Sequence, residues 1–280
     1  MSALSGKARV AGVMGWPVTH SRSPRLHGYW LALYGIDGAY VPLAVPPERF
    51  VQAARALAPL GFAGANVTVP HKEAALAIVD SVEPRAKRIG AVNTIVVRGD
   101  GSLAGDNTDG YGFLENLTQG APGFDPRHGP AAVLGAGGSA RAIVTALLDA
   151  GAPEVRVVNR TRNRAEELAA AAGGKVTVAD WTDRSEALAG AVLLVNTTSL
   201  GMTGQPPLEI ALDPLPPGAL VTDLVYAPLV TPLLERAARR GNRTVDGLGM
   251  LLHQARPGFH AWFGVMPEVT PELRRVMEAS

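Results

Sequence analysis

The stretch Ala131-Ala132-Val133-Leu134-Gly135-Ala136-Gly137-Gly138-Ser139-Ala140 decides the fold. An apolar run breaks off into a glycine turn, and the residues beyond it, up to Ala150 with Gly151 as a stop, read as a helix. Gly135, Gly137 and Ala140 fit the pattern G-x-G-x-x-G/A. Such a pattern is weak by itself, because any tight strand-to-helix turn needs glycine for steric reasons. Here a strand precedes it, a helix follows, and a second strand over 154–159 ends at Asn159, the context that dinucleotide binding requires. Glycines at 135 and 137 let backbone N–H groups approach a pyrophosphate at the positive end of the helix.

The end of that second strand bears on the choice of dinucleotide. An NAD site places Asp or Glu there to accept from the ribose 2′-hydroxyl. This chain has Asn159, Arg160 and Thr161, then Arg162 and Arg164. No carboxylate stands there to repel a 2′-phosphate, and guanidinium groups bind phosphate through paired charge-assisted hydrogen bonds. A basic helix start opposes the helix dipole, so mere surface solvation explains it poorly. NADP is favoured over NAD.

Outward from the glycine turn, strands alternate with helices. Short apolar runs recur at 176–178, 191–196 and 219–225, with helical stretches at 162–172 and 229–240 and a last strand at 243–245. This spacing indicates βαβ units and a parallel sheet. The glycine- and proline-rich segment 120–130 reads as a connection. Before it, strands are expected at 8–14, 39–45 and 62–69, helices at 24–34, 47–58 and 71–79, and a β-hairpin over 91–106 turning at Gly99-Asp100-Gly101. Pro42 argues for an edge position of the second strand. Two α/β domains with a boundary near 105–125 follow.

Composition narrows the function classes. The 280 residues contain no cysteine, which excludes disulfides, thiolate metal sites and a thiol nucleophile. Lys+Arg 26 against Asp+Glu 25 leaves a net charge of +1, so nothing suggests a nucleic-acid surface. No charge-free apolar run reaches the roughly 18 residues of a membrane span. Lys7 and Arg9 precede the apolar stretch Val10–Val18, but Gly12, Gly15 and Pro17 interrupt it, so it reads as a first strand and not a leader. A cytoplasmic location is expected. Metal binding is not, since the histidines form no H-x-x-x-H pair.

The first half of the chain carries a second set of polar residues. Ser21 and Ser23 flank Arg22 ahead of Pro24, where hydroxyls beside a helix start suit a carboxylate; taken singly, Ser23 reads as an N-cap. Asn66 and Thr68 alternate onto one face of a strand. Lys72 follows in the first turn of a helix and is one of only four lysines in an arginine-rich chain. Asn93 and the run Asp106-Asn107-Thr108-Asp109-Gly110 lie at strand ends; Asp109 alone would be an N-cap. Together, hydroxyls, amides, one lysine and one aspartate suit a small polyol carboxylate undergoing hydride transfer, with proton exchange by Lys72 and Asp109.

At this point the chain resembles the shikimate dehydrogenase family. The resemblance rests on SRSP (21–24), NVTVPHK (66–72), GAVNT (90–94), DNTDG (106–110), GAGGSAR (135–141), NRT (159–161), NTTSLGM (196–202), DLVYAP (223–228) and DGLGMLLHQA (246–255). It implies reversible NADP-dependent reduction of 3-dehydroshikimate to shikimate, on the way to aromatic amino acids. It further implies a substrate domain with a mainly parallel sheet (1–108 with 246–280), a Rossmann-type NADP domain (109–245) and a cleft between them. Ser21 and Ser23 would hold the substrate carboxylate. Thr68, Asn93, Asp109 and Gln254 would bond the ring hydroxyls, Lys72 would be the acid–base residue paired with Asp109, and Tyr226 would line the same pocket. Gly135, Ala136, Gly137, Gly138 and Ser139 would cradle the pyrophosphate. Asn159, Arg160, Thr161, Arg162, Asn163 and Arg164 would take the 2′-phosphate, while Leu224 and Gly247 would border the nicotinamide. The family includes monomers and homodimers. A relative acting on quinate or using NAD, a folate dehydrogenase and a dinucleotide sensor are the competing readings; SRSP and DNTDG speak against the second, and Lys72 with Asp109 against the third.

Overall fold

The computed structural model describes residues 4–173 and 175–279. The chain divides into two compact units, Met1–Thr108 with Leu252–Ser280, and Asp109–Leu251. In the first unit β1 (Arg9–Gly15), α1 (Ser23–Leu33), β2 (Gly38–Ala44), α2 (Phe50–Arg55), β3 (Phe62–Val67), α3 (Lys72–Ile78), β4 (Ser81–Val82), α4 (Pro84–Ile89), β5 (Thr94–Val97) and β6 (Leu103–Asp106) follow in order. The second unit holds α5 (Asp109–Gly120), β7 (Ala131–Leu134), α6 (Gly138–Asp149), β8 (Val155–Asn159), α7 (Arg162–Ala172), β9 (Val176–Asp180), β10 (Leu193–Asn196), β11 (Leu220–Asp223), α8 (Pro232–Arg239) and β12 (Arg243–Val245). Then α9 (Leu248–Phe263) begins in the second unit and continues into the first, where α10 (Pro271–Glu278) closes the chain.

The sheet of the second unit runs β12-β11-β10-β7-β8-β9, every pairing parallel. Strand order reverses between β7 and β10, and in such doubly wound sheets ligands bind outside the carboxyl ends of the strands at that switch point. Helices on both faces leave parallel strands no solvated side, hence the continuous apolar runs. Ala131–Leu134 and Leu193–Asn196 are buried at every position. One side of the sheet packs on Ile143, Val144 and Leu147 of α6 and on Phe113 of α5, the other on Leu233 and Leu234 of α8.

In the first unit the sheet order is β2-β1-β3-β5-β6-β4. β1 pairs in parallel with β2 and β3, and β4 with β6, whereas the β5–β6 hairpin enters antiparallel. β2, with Pro42, is an edge strand as its proline requires. The carboxy-terminal helices dock here: Trp262 Nε1 donates to Ile95 O at 3.0 Å, and Arg22 Nη1 to Met277 O at 3.2 Å.

Three local expectations change. α1 starts at Ser23 itself, with Arg22 in the cap position and no side-chain cap bond, so Ser23 is the first helical residue and not the cap. The helix expected at 47–58 is a 3₁₀ turn, Pro47–Arg49, leading into the shorter α2. The helix expected from 229 begins at Pro232, because Thr231 caps it in extended conformation and accepts from Leu234 N–H. Residues 224–231 are therefore a loop.

Candidate active site

In the first unit, the polar residues converge through hydrogen bonds that cross the sheet. Asn66, at 6% exposure, donates from Nδ2 to Asn93 O and Thr94 Oγ1, both at 3.2 Å. A carbonyl partner fixes which end of the amide is nitrogen, so Oδ1 must accept. Tyr40 donates its hydroxyl to that Oδ1 at 2.6 Å, which leaves the phenol oxygen to accept from the Ser23 hydroxyl. Burial pushes the Tyr40 phenol well above its ordinary pKa, so it stays a donor. Asn93, buried to 2%, accepts from Thr108 N–H and Thr94 Oγ1, both at 2.9 Å, and its Nδ2 lies 3.4 Å from Gln254 Oε1 on α9. Thr108 Oγ1 donates to Gln254 O at 2.8 Å. Of the expected substrate residues, Ser23, Asn93 and Gln254 thus belong to one connected set. Asn66 and Thr108, which the sequence offered only as polar groups at strand ends, and Tyr40, which it did not offer, complete it.

Ser21 and Thr68 sit beside this set. Ser21 Oγ accepts from Ser23 N–H at 3.3 Å. Thr68 lies just past β3, where its N–H donates to Met14 O at 2.9 Å. Its carbonyl accepts from His71 N–H at 2.9 Å, closing the turn into α3. His71 is anchored by a 2.7 Å bond between Nε2 and Val45 O and by stacking on Phe50 at 4.4 Å. That anchor holds the backbone of Lys72, the first residue of α3 and half-buried.

In the second unit the glycine turn has the shape expected of it. Gly135 adopts φ +112°, and a Cβ there would overlap Thr197 Oγ1. Gly137 is extended, and a Cβ added to it meets nothing within 4 Å, so its flank is open. α6 begins at the next residue with no side-chain cap and no acidic residue in its first turn, leaving N–H donors for an anion. Gly135 and Ala136 are buried, while Gly137, Gly138 and Ser139 are half-buried.

At the end of β8, Asn159 Nδ2 donates to Thr161 O at 2.8 Å. Arg160, Thr161, Arg162, Asn163 and Arg164 are exposed. Arg162 is engaged: Nε meets Glu166 at 2.7 Å and Nη1 meets Asp180 at 2.8 Å, and these partners raise its pKa further. Such exposed pairs contribute about 0–1 kcal/mol, weak enough for a phosphate to displace. The open space at Gly137, the uncapped α6 start and the carboxylate-free end of β8 fit a 2′-phosphorylated dinucleotide.

Of the remaining expected residues, Leu224, Tyr226 and Gly247 lie at the carboxyl ends of β11 and β12. Leu224 and Tyr226, both half-buried, follow β11, and a Cβ on Gly247 would overlap the carbonyl of Leu224 and stand 2.8 Å from Asp223 O. Only glycine allows the two segments to touch. Asp109 is the first residue of α5 and 3% exposed. Among the described residues, no group of three His, Cys, Asp or Glu side chains could hold a metal ion, and no helix is long and apolar enough to cross a membrane.

Comparison with known proteins gives the same assignment. A family model described as "Shikimate dehydrogenase substrate binding domain" matches residues 13–95, and one described as "Shikimate / quinate 5-dehydrogenase" matches 125–202. The chain belongs to the shikimate dehydrogenase family. A shikimate dehydrogenase (NADP(+)) of Paramagnetospirillum magneticum is 65% identical over 271 residues, covering 97% of this chain and 98% of that one. Among solved structures, shikimate 5-dehydrogenase of Thermus thermophilus in complex with NADP(H) and shikimate is 39% identical with a TM-score of 0.85, covering 97% of this chain and 98% of that one. Quinate dehydrogenase of Corynebacterium glutamicum in complex with NAD is 30% identical with a TM-score of 0.87, covering 97% and 98%.

Proposed function

We propose that this oxidoreductase interconverts 3-dehydroshikimate and shikimate with NADP, and that Lys72 and Asp109 carry its acid–base chemistry. The observation that carries the reading is the neutral, buried set formed by Asn66, Asn93, Thr108 and Gln254. Uncharged donors and acceptors held in place suit the hydroxyls of a polyol ring, and an unmatched hydroxyl pattern leaves them unpaired at a cost of about 1–3 kcal/mol each.

Ser21 and Ser23 offer hydroxyls to the substrate carboxylate. For Ser23 this means turning its proton from Tyr40 to the ligand, since Tyr40 gives its own to Asn66. Thr68, Asn93, Asp109 and Gln254 orient the ring, and Tyr226 lines the pocket. In the reducing direction the Lys72 ammonium gives its proton to the oxygen at the reacting carbon; in the oxidising direction the amine takes it back. Gly135–Ser139 hold the pyrophosphate, Asn159–Arg164 the 2′-phosphate, and Leu224 and Gly247 border the nicotinamide. When bound, NADP supplies the hydride chemistry. Support for the phosphate preference is the absence of any carboxylate at 159–161.

The test is formation of NADPH from NADP and shikimate by the purified chain, alongside NAD and quinate. Rapid turnover with NADP and shikimate, and at least tenfold lower kcat/KM for the other combinations, is expected. Faster turnover of quinate, or of NAD, would overturn the assignment.

A further inference from the structure

We propose that Asp223 is a positioning residue, which holds the loop 224–231 in the conformation that presents Leu224 to the nicotinamide and Tyr226 to the adjoining substrate pocket. The proposal rests on the reading of those two residues as ligand-facing and adds what fixes them.

Asp223 ends β11 and is 1% exposed. Its Oδ1 accepts from Val225 N–H at 3.0 Å and from Asn196 Nδ2 at 2.9 Å. Its Oδ2 accepts from Thr231 Oγ1 at 2.8 Å. One carboxylate therefore grips the loop near its beginning, at Val225, and at its end, at Thr231, with Tyr226 in between. Thr231 is itself buried and caps α8 toward Leu234 N–H, so the loop end is tied to a helix.

Asn196 extends the grip to the neighbouring loop. It ends β10 directly opposite Asp223, and its carbonyl accepts from Leu224 N–H at 2.9 Å. The side chain accepts from Thr198 N–H at 3.0 Å and Thr198 Oγ1 at 2.7 Å and donates to Leu200 O at 3.1 Å. Next to it, Thr197 donates to Leu134 O at 2.6 Å and covers Gly135. A backbone bond from Thr203 N–H to Ala227 O at 2.8 Å joins the two loops again. The segment behind the glycine turn and the segment bearing Leu224 and Tyr226 are thus one hydrogen-bonded unit with Asp223 at its centre.

All three donors to Asp223 are neutral. Burial pushes its carboxyl up to about 6 in spite of the hydrogen bonds that oppose the rise. A carboxylate kept in a buried site without a cation is costly, and an apolar residue would serve β11 better if strand packing were all that mattered. What an apolar residue cannot do is accept at the start and end of the same loop.

The test uses the full-length protein and Thr231→Val, Thr231→Ser and Asp223→Asn variants. Thr231→Val keeps the volume and removes the bond to Asp223 together with the cap bond from Leu234 N–H, whereas Asp223→Asn leaves that cap in place; Thr231→Ser keeps the hydroxyl and both bonds. Affinity is measured for NADPH and for 2′,5′-ADP, a fragment with the adenosine and 2′-phosphate but no nicotinamide, together with kcat for shikimate and the melting temperature. Thr231→Val and Asp223→Asn should each weaken NADPH and lower kcat by roughly tenfold, the scale of one hydrogen bond to a charged group, while 2′,5′-ADP binds as in the parent. Thr231→Ser should restore both readouts to within about twofold. Equal losses for NADPH and 2′,5′-ADP, or a lower melting temperature with unchanged NADPH affinity and kcat, would overturn the proposal. Should the parent bind NADPH yet leave shikimate untouched, the functional reading fails and the two affinities still decide the role of Asp223.

Discussion

Replacing Gly137 by alanine separates a ligand-binding glycine from a structural one. The backbone at Gly137 is extended, φ −86° and ψ −175°, and a Cβ there meets no atom within 4 Å. Alanine fits without strain and restricts the unfolded chain, a gain of about 0.4–1 kcal/mol, while alanine is a poorer residue than glycine at the cap position of α6 by a similar amount, so stability should change by less than about 1 kcal/mol. The methyl group nevertheless occupies the flank along which a pyrophosphate would reach the N–H groups of α6. A hydrogen bond from N–H to a charged group contributes about 1.5–3 kcal/mol, and losing one weakens NADPH binding by about ten- to a hundredfold. Gly135→Ala makes the opposite prediction. Its φ of +112° costs roughly 1–3 kcal/mol for a residue with a Cβ. The side chain also displaces the Thr197 hydroxyl from its 2.6 Å bond to Leu134 O, another ~1–3 kcal/mol. A total near 4 kcal/mol lowers the melting temperature by about 8–16 °C at 2–4 °C per kcal/mol. Fluorescence titration with NADPH and a thermal melt on both variants suffice. If Gly137→Ala binds NADPH within twofold of the parent, or melts several degrees lower, the glycine turn does not do what its geometry says.

The second unit was the more readable part of the chain because its physics is local. A parallel strand covered on both faces is apolar along its length, so Ala131–Leu134 and Leu193–Val195 announce themselves. The turn between strand and helix needs glycine where Thr197 crosses it. α4 went unread although its signals are present, proline at the start and Gly90 at φ +75° as a left-handed stop, because six residues show too little periodicity. Within the polar set, Asn93 was legible from residue type alone, and it joins the buried hydrogen-bonded network. The set was not legible where the partner is distant in sequence. Tyr40 and Asn66 are 26 positions apart and Asn196 and Asp223 are 27 apart, so nothing in either local stretch reveals the bond. Arg162 is the same case from the other side: its position suggests a phosphate clamp, and the sequence does not show that Asp180, at the end of the adjacent strand, pairs with it in an exposed bridge that a phosphate must displace.

Lys72→Ala should lower kcat by more than about a hundredfold with a much smaller loss of shikimate binding, read by steady-state kinetics and calorimetry; near-normal turnover would remove Lys72 from proton transfer. Arg160→Ala should weaken NADP far more than NAD, and equal losses would refute the clamp, leaving its part to Arg164. The last prediction concerns acid stability. His27 is fully buried, stacked face to face on Tyr40 at 3.8 Å and surrounded by Trp30, Phe259 and Trp262. Burial lowers its pKa from 6.5 to about 3. The unfolded chain then binds a proton that the folded chain refuses, so stability falls as the pH drops below 6.5 and keeps falling until about 3. His253, lowered to about 4 by burial and then by Arg256, adds to the fall. Asp223, raised to about 6, acts the other way: its protonated form is the one the fold prefers, so it offsets part of the loss between about 6 and 3.8. His27→Phe removes the largest of these contributions and keeps an aromatic ring in the stack. Melting temperatures of parent and variant from pH 7 to pH 4 should diverge as the pH falls, the variant holding the higher value; parallel curves would mean that the buried imidazole takes up its proton without unfolding.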